Sequence, residues 1–207
     1  FAEHTLKWQQ IPVREKKILF VGEEISFASR YRVEHFREQL HYQGYGSDFY
    51  QVDEVEDLDW DAYRAVVCYR CSREDVVCKV VEQAKKTGLN VYYDIDDLIF
   101  DYERISYLHF LTGSEYKDFK KTTEQIHSCM ELCDGYFTST DTLAGEIRRE
   151  FPGKPVVINR NCASMEMQIL SHDAVEQVEK DPEHIFIGYF SGSKTHDQDF
   201  EVAEEAL

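Results

Sequence analysis

Short runs of β-branched and aromatic residues alternate with stretches of helical periodicity along almost the whole chain, and this alternation most narrows the fold. Seven runs qualify: "KKILFVG" (16–22), "DFYQV" (48–52), "AVVCY" (65–69), the start of "NVYYDIDDLIF" (90–100), "GYFT" (135–138), "VVIN" (156–159) and "HIFIGYF" (184–190). Brief, nearly continuous apolar runs bounded by glycine or polar residues read as strands covered on both sides. Between them, apolar residues return at helical spacing. Val33, Phe36 and Leu40 form one such face, stopped by Gly44. A second comprises Val76, Val77, Val80, Val81 and Ala84, capped by Ser72 and closed by Gly88. Tyr116, Phe119, Thr123, Ile126, Met130 and Cys133 form a third. "TLAGEIRREF" is a fourth helix, capped by Ser139 or Asp141, and 162–180 a fifth, with Met165, Ile169, Leu170 and Val175 turned inward.

Strands separated by helices long enough for crossovers predict an α/β protein, a Rossmann-like, doubly wound parallel sheet with helices on both faces. Six strands complete one domain over 16–161, after an extension or linker at 1–15. Residues 162–183 bridge to a second Rossmann-like domain, whose first strand and helix start occupy 184–207.

Composition supports a folded chain: 43% of the 207 residues are apolar and 14% aromatic, enough for a core. Twenty-three Lys and Arg against 40 Asp and Glu give a net charge of −17. Such a field repels phosphate backbones and anionic lipid surfaces, so nucleic acid is not expected as a partner, although Arg30/Arg32 and Arg148/Arg149 are candidates for a local basic patch. No apolar run approaches the ~20 residues of a membrane-spanning helix. Of the six cysteines, the "CYRC" pair (68–71) lacks a second pair to complete a zinc site, and Cys68 and Cys78 lie in apolar runs where a thiol serves as a small hydrophobe. No metal is expected. Free thiols point to a reducing, cytoplasmic setting.

In open parallel sheets, ligands gather beyond the carboxyl ends of the strands. That rule selects Gly22, Arg30 and Arg32 after the first strand, and Asp94, Asp96 and Asp97 after the fourth. It also selects Ser139 and Thr140 after the fifth and Asn161 after the sixth. Clustered carboxylates repel one another unless they bind a cation, sugar hydroxyls or helix N–H groups, or stay solvated. "DID" also matches the Asp-x-Asp of metal-dependent nucleotide-sugar enzymes. Arg30 and Arg32 suit an anionic or polyhydroxylated ligand as well as a solvated helix surface. In "SGSKTHD", Ser191, Gly192 and Ser193 let backbone N–H groups approach a phosphate, and Lys194 adds a full charge. His196 and His109 are further ligand-contact candidates.

The segments "RYRVEHFREQL", "VYYDIDDLIFD", "MELCDGYFTSTDTLA", "VVINRN" and "IGYFSGSKTHDQDF", in that order from about residue 16 onward, resemble the group-1 family of GT-B glycosyltransferases. Members that assemble bacterial surface polysaccharides, rhamnose-rich ones included, are the nearest in look. The resemblance implies two Rossmann-like domains facing across a cleft, the first taking the acceptor and the second the nucleotide-sugar donor. It also implies transfer with retention, without a metal or other cofactor. Gly22, Ser191, Gly192, Ser193, Lys194 and His196 would then lie on the donor side. Arg30, Arg32, Asp94, Asp96, Asp97, Ser139, Thr140 and Asn161 would line the acceptor side of the cleft. The opening loop lacks the paired glycines of many members, and the family's two donor-framing glutamates would lie past Leu207. The implied partners are a nucleotide-sugar, a glycan or lipid-linked acceptor, and the remainder of the polypeptide. The implied location is the cytoplasm, peripheral to the inner face of the membrane. Two other classes remain open: a non-catalytic Rossmann-like module that binds glycan or protein, and a metal-dependent enzyme using Asp94 and Asp96.

Overall fold

The computed structural model describes residues 16–23, 27–55, 58–105, 113–179, 181–186 and 188. Six strands, β1 (Lys17–Gly22), β2 (Ser47–Gln51), β3 (Tyr63–Tyr69), β4 (Asn90–Asp94), β5 (Gly135–Thr138) and β6 (Val156–Ile158), form one sheet in the order β2-β1-β3-β4-β5-β6. Every neighbouring pair is parallel. The helices are α1 (His35–Tyr42), α2 (Glu74–Lys86), α3 (Gly113–Leu132), α4 (Asp141–Glu150) and α5 (Met165–Gln177), with a single turn at Tyr102–Ile105. A helical turn at Phe27–Ser29 and a π-helical turn at Arg30–Glu34 lead into α1.

The sheet is Rossmann-like and doubly wound, as the alternation predicts. Val66 and Cys68 of β3 turn to one face and Val67 and Tyr69 to the other, the period-2 consequence of the pleat. On the first face Leu19, Val21, Val66, Val91, Tyr93 and Tyr136 meet the apolar stripes of α2, α3 and α4. The α2 stripe is the predicted one, and each fully buried valine is worth at most roughly 1.5–3 kcal/mol. On the second face Phe20, Val33, Val67 and Tyr69 pack with Phe36 and Leu40 of α1. Gly44 takes φ +76°, a left-handed conformation open to glycine, and the Tyr45 N–H donates to the Leu40 carbonyl (2.9 Å), ending α1 where the sequence predicts.

Several expectations are corrected. Ser72 does not cap α2 as its first residue. Its hydroxyl and N–H donate to the Glu23 carboxylate, and Arg73 stands at the N-cap without a side-chain capping bond, its guanidinium pairing with Asp53 instead. The α4 cap is Thr140, neither Ser139 nor Asp141, because Thr140 has the extended backbone that lets its hydroxyl accept from Leu143 N–H (3.2 Å). Cys78 is exposed on the outer side of α2, whereas Cys68, Cys71, Cys129 and Cys133 are buried, and all six are free thiols. The α5 helix forms as predicted but buries none of its residues: Met165, Leu170 and Val175 are 48%, 51% and 58% exposed. Residues His184–Phe186 run exposed and outside any strand, and Ile187 and Tyr189–Leu207, which carry the rest of the predicted seventh strand and "SGSKTHD", lie outside the described residues. Among the described residues no helix is long and apolar enough to cross a membrane.

Candidate functional site

Strand order runs outward from β1 in one direction to β2 and in the other through β3 to β6, so the topological switch lies between β1 and β3. Beyond their carboxyl ends lies a cavity of about 280 Å³ lined by Glu23, Tyr69, Arg70, Ser72, Ile99, Thr122 and Ile126. This is where an open parallel sheet admits a ligand. Arg70, directly after β3, has φ +45°, an uncommon conformation for a residue with a Cβ. Its guanidinium binds Asp96 through Nε (2.8 Å) and Nη2 (2.7 Å) and also pairs with Asp97. The Glu23 carboxylate, at the end of β1, accepts from the N–H groups of Ser72 and Arg73 (2.8 Å to the latter). The anion-binding backbone at the start of α2 is therefore filled from within the chain.

One step along the sheet lies a fully buried ion pair. Arg32 Nε and Nη2 each donate to an oxygen of Asp94 at 2.8 Å, and both side chains have no exposed surface. Arg32 Nη1 donates to the Asn159 carbonyl and to Asn161 Oδ1 (2.9 Å). The π-helical turn carries Arg32, and such turns concentrate at functional sites. Burial raises the Asp94 carboxyl to about 6, outweighing the lowering by Arg32 and reinforced by the nearby charge of Asp96. Tyr69, paired in register with Asp94, is 4% exposed, and its hydroxyl has no hydrogen-bond partner among the described residues. Burial pushes that phenol above its ordinary value, opposed by Arg70 and reinforced by Asp96, Asp94 and Asp97. The hydroxyl of Thr138, at the end of β5, is likewise buried and without a partner among the described residues.

The residues selected from sequence divide accordingly. Arg32, Asp94 and Asn161 come together, but as a closed internal network: Arg32 and Asp94 are neither solvated helix-surface charges nor free ligand groups. Asp96 and Asp97 are drawn to Arg70, with the Asp97 side chain still 57% exposed. Ser139 is buried directly after β5, Thr140 serves as a helix cap, and Arg30 is exposed on the π-helical turn. Gly22 packs rather than opening a loop: a Cβ there would stand 3.1 Å from the Phe49 ring. Ser191, Gly192, Ser193, Lys194 and His196, like His109, lie outside the described residues. Glu23, Tyr69 and Arg70 were not singled out from sequence; their one visible signal was position, at the ends of the first and third strands.

Chemically this edge offers hydroxyls, carboxylates and guanidinium groups over a partly apolar floor, the mixture that suits a hydroxyl-rich ligand. Among the described residues no group of three or more His, Cys, Asp or Glu is arranged to hold a metal ion. The carboxylates of "DID" are engaged by Arg32 and Arg70 instead. No protein-family model matches the chain, and neither does any curated protein.

Proposed function

We propose that the chain is the acceptor-side portion of a retaining glycosyltransferase, which moves a sugar from a nucleotide-sugar donor to a growing glycan or lipid-linked acceptor. The observation that carries this reading is the concentration of polar side chains around a cavity at the switch point of a doubly wound sheet, where Glu23, Arg70, Ser72 and Thr122 surround the opening. The ordered resemblance of the segments to group-1 GT-B enzymes supplies the ligand class. On this reading Arg30, Asp96, Asp97, Ser139 and Thr140 face or border the acceptor. Arg32, Asp94 and Asn161 hold the edge in shape. Ser191, Gly192, Ser193, Lys194 and His196 belong to the donor side. Stabilising the departing nucleoside diphosphate is the larger catalytic demand and, on this reading, falls to the donor side. The enzyme works in the cytoplasm, at the inner face of the membrane.

The internal pairing of Arg32 with Asp94 and of Arg70 with Asp96 and Asp97 favours a second reading, a non-catalytic Rossmann-like module that binds a glycan or a protein. One assay separates them. A polypeptide carrying both halves is incubated with a set of nucleotide-sugars, with and without oligosaccharide acceptors. Acceptor-dependent release of nucleoside diphosphate is expected. Absence of release from every donor, alongside measurable glycan binding, would leave only the binding module.

A further inference from the structure

The α5 helix poses a mechanical problem: none of its residues is fully buried, and its apolar contact is limited to partly buried side chains such as Met167 and Ile169. Among the described residues, the hydrogen bonds that tie it to the rest of the fold are confined to its amino end. Arg32, His35 and Glu38 recur every three residues along one side of the π-helical turn and α1, and all three are buried, at 0%, 4% and 6% exposure. Each takes successive groups of the segment joining β6 to α5. Arg32 donates to the Asn159 carbonyl and to Asn161 Oδ1. His35 Nδ1 lies 2.8 Å from the Cys162 carbonyl oxygen, which makes that nitrogen the donor. The Glu38 carboxylate accepts from the Met165 N–H at 2.9 Å, and Ser164, 6% exposed, caps α5 through Met167 N–H (3.1 Å).

We infer that Arg32, His35 and Glu38 form a polar clamp that turns residues 159–165 into a rigid strut and fixes the direction in which α5 leaves the sheet. We further infer that Arg32 couples this strut to the ligand edge. The same guanidinium that grips Asn159 and Asn161 is held by Asp94 at the end of β4, so a change at Asp94 alters the grip on the connector. Buried charges of this kind are costly to leave unpaired, so loss of one partner is felt by the others. The clamp is a positioning device whatever the ligand is. It would set the angle of any domain that follows α5.

Amide-resolved hydrogen exchange on the full chain tests both parts. The Glu38→Ala variant should speed exchange at Met165, Met167 and Gln168 at least about tenfold, the loss of a hydrogen bond to a charged acceptor, while β1, β3 and β4 amides keep their protection. The Glu38→Gln variant, which retains an acceptor oxygen, should return close to wild type. The Asp94→Asn variant, altered at the far end of the network, should also speed exchange at Met165–Gln168. Unchanged exchange there in Glu38→Ala would overturn the clamp. Unchanged exchange there in Asp94→Asn, with Glu38→Ala responding, would overturn the coupling. A uniform rise across strands and α5 in every variant would show global destabilisation and refute a local device.

Discussion

A guanidinium with no exposed surface is tolerable only when its donors are matched, and Arg32 meets that condition with Asp94, Asn159 and Asn161. Removing either charge of the pair leaves the other buried and alone, at a cost of about 3–5 kcal/mol. The acidity of Asp94 gives a sharper check. Its carboxyl stands at about 6 in the folded protein against an ordinary 3.8, so the folded state holds this proton more tightly than the unfolded one. The stabilising contribution is therefore fully present below 3.8 and lost as pH rises through about 6. A carboxyl-carbon NMR titration should place the Asp94 midpoint near 6; a midpoint below 4 would mean that Arg32 prevails over burial. None of this was legible beforehand. Position after a strand marked Arg32 and Asp94 as interesting, but arginine and aspartate are almost never fully buried, and their partnership spans 62 positions of sequence.

Elements were far more legible than contacts. The six strands lie where β-branched and aromatic runs place them: central strands such as β1 and β3 are covered on both faces and so are apolar at nearly every position, while the edge strands β2 and β6 are only partly buried. The stripes of α2 and α3 carry a pattern that admits one buried side. The failure at α5 is instructive: Met165, Ile169, Leu170 and Val175 repeat like a core stripe, yet periodicity records amphipathicity and not the presence of a surface to cover it. Gly135 marks a contact that no pattern exposes. A Cβ there would sit 2.8 Å from Pro155 Cγ, 3.0 Å from the Pro155 carbonyl oxygen and 3.2 Å from the Tyr92 ring. The Gly135→Ala variant should lose roughly 1–3 kcal/mol of stability in chemical denaturation, since β5 and the Pro155 segment would have to separate. An unchanged midpoint would mean that this approach relaxes freely.

At the scale of the whole molecule, a net charge of −17 surrounds a sheet whose cationic groups Arg32 and Arg70 are turned inward on carboxylates. That distribution suits a neutral, hydroxyl-bearing ligand better than a polyanion. It also divides labour between a rigid layer that presents the edge and a strut that leads away from it. The order of the strands fixes where that edge is, and the central claim is that ligand binds there, between β1 and β3. The most direct measurement is backbone chemical-shift mapping of the chain titrated with oligosaccharide acceptors. The account predicts perturbations clustered at Gly22–Glu23, Tyr69–Arg73, Asp94–Asp97 and Thr138–Thr140. Shifts confined to the opposite edge of the sheet, or no shifts with any oligosaccharide, would contradict it.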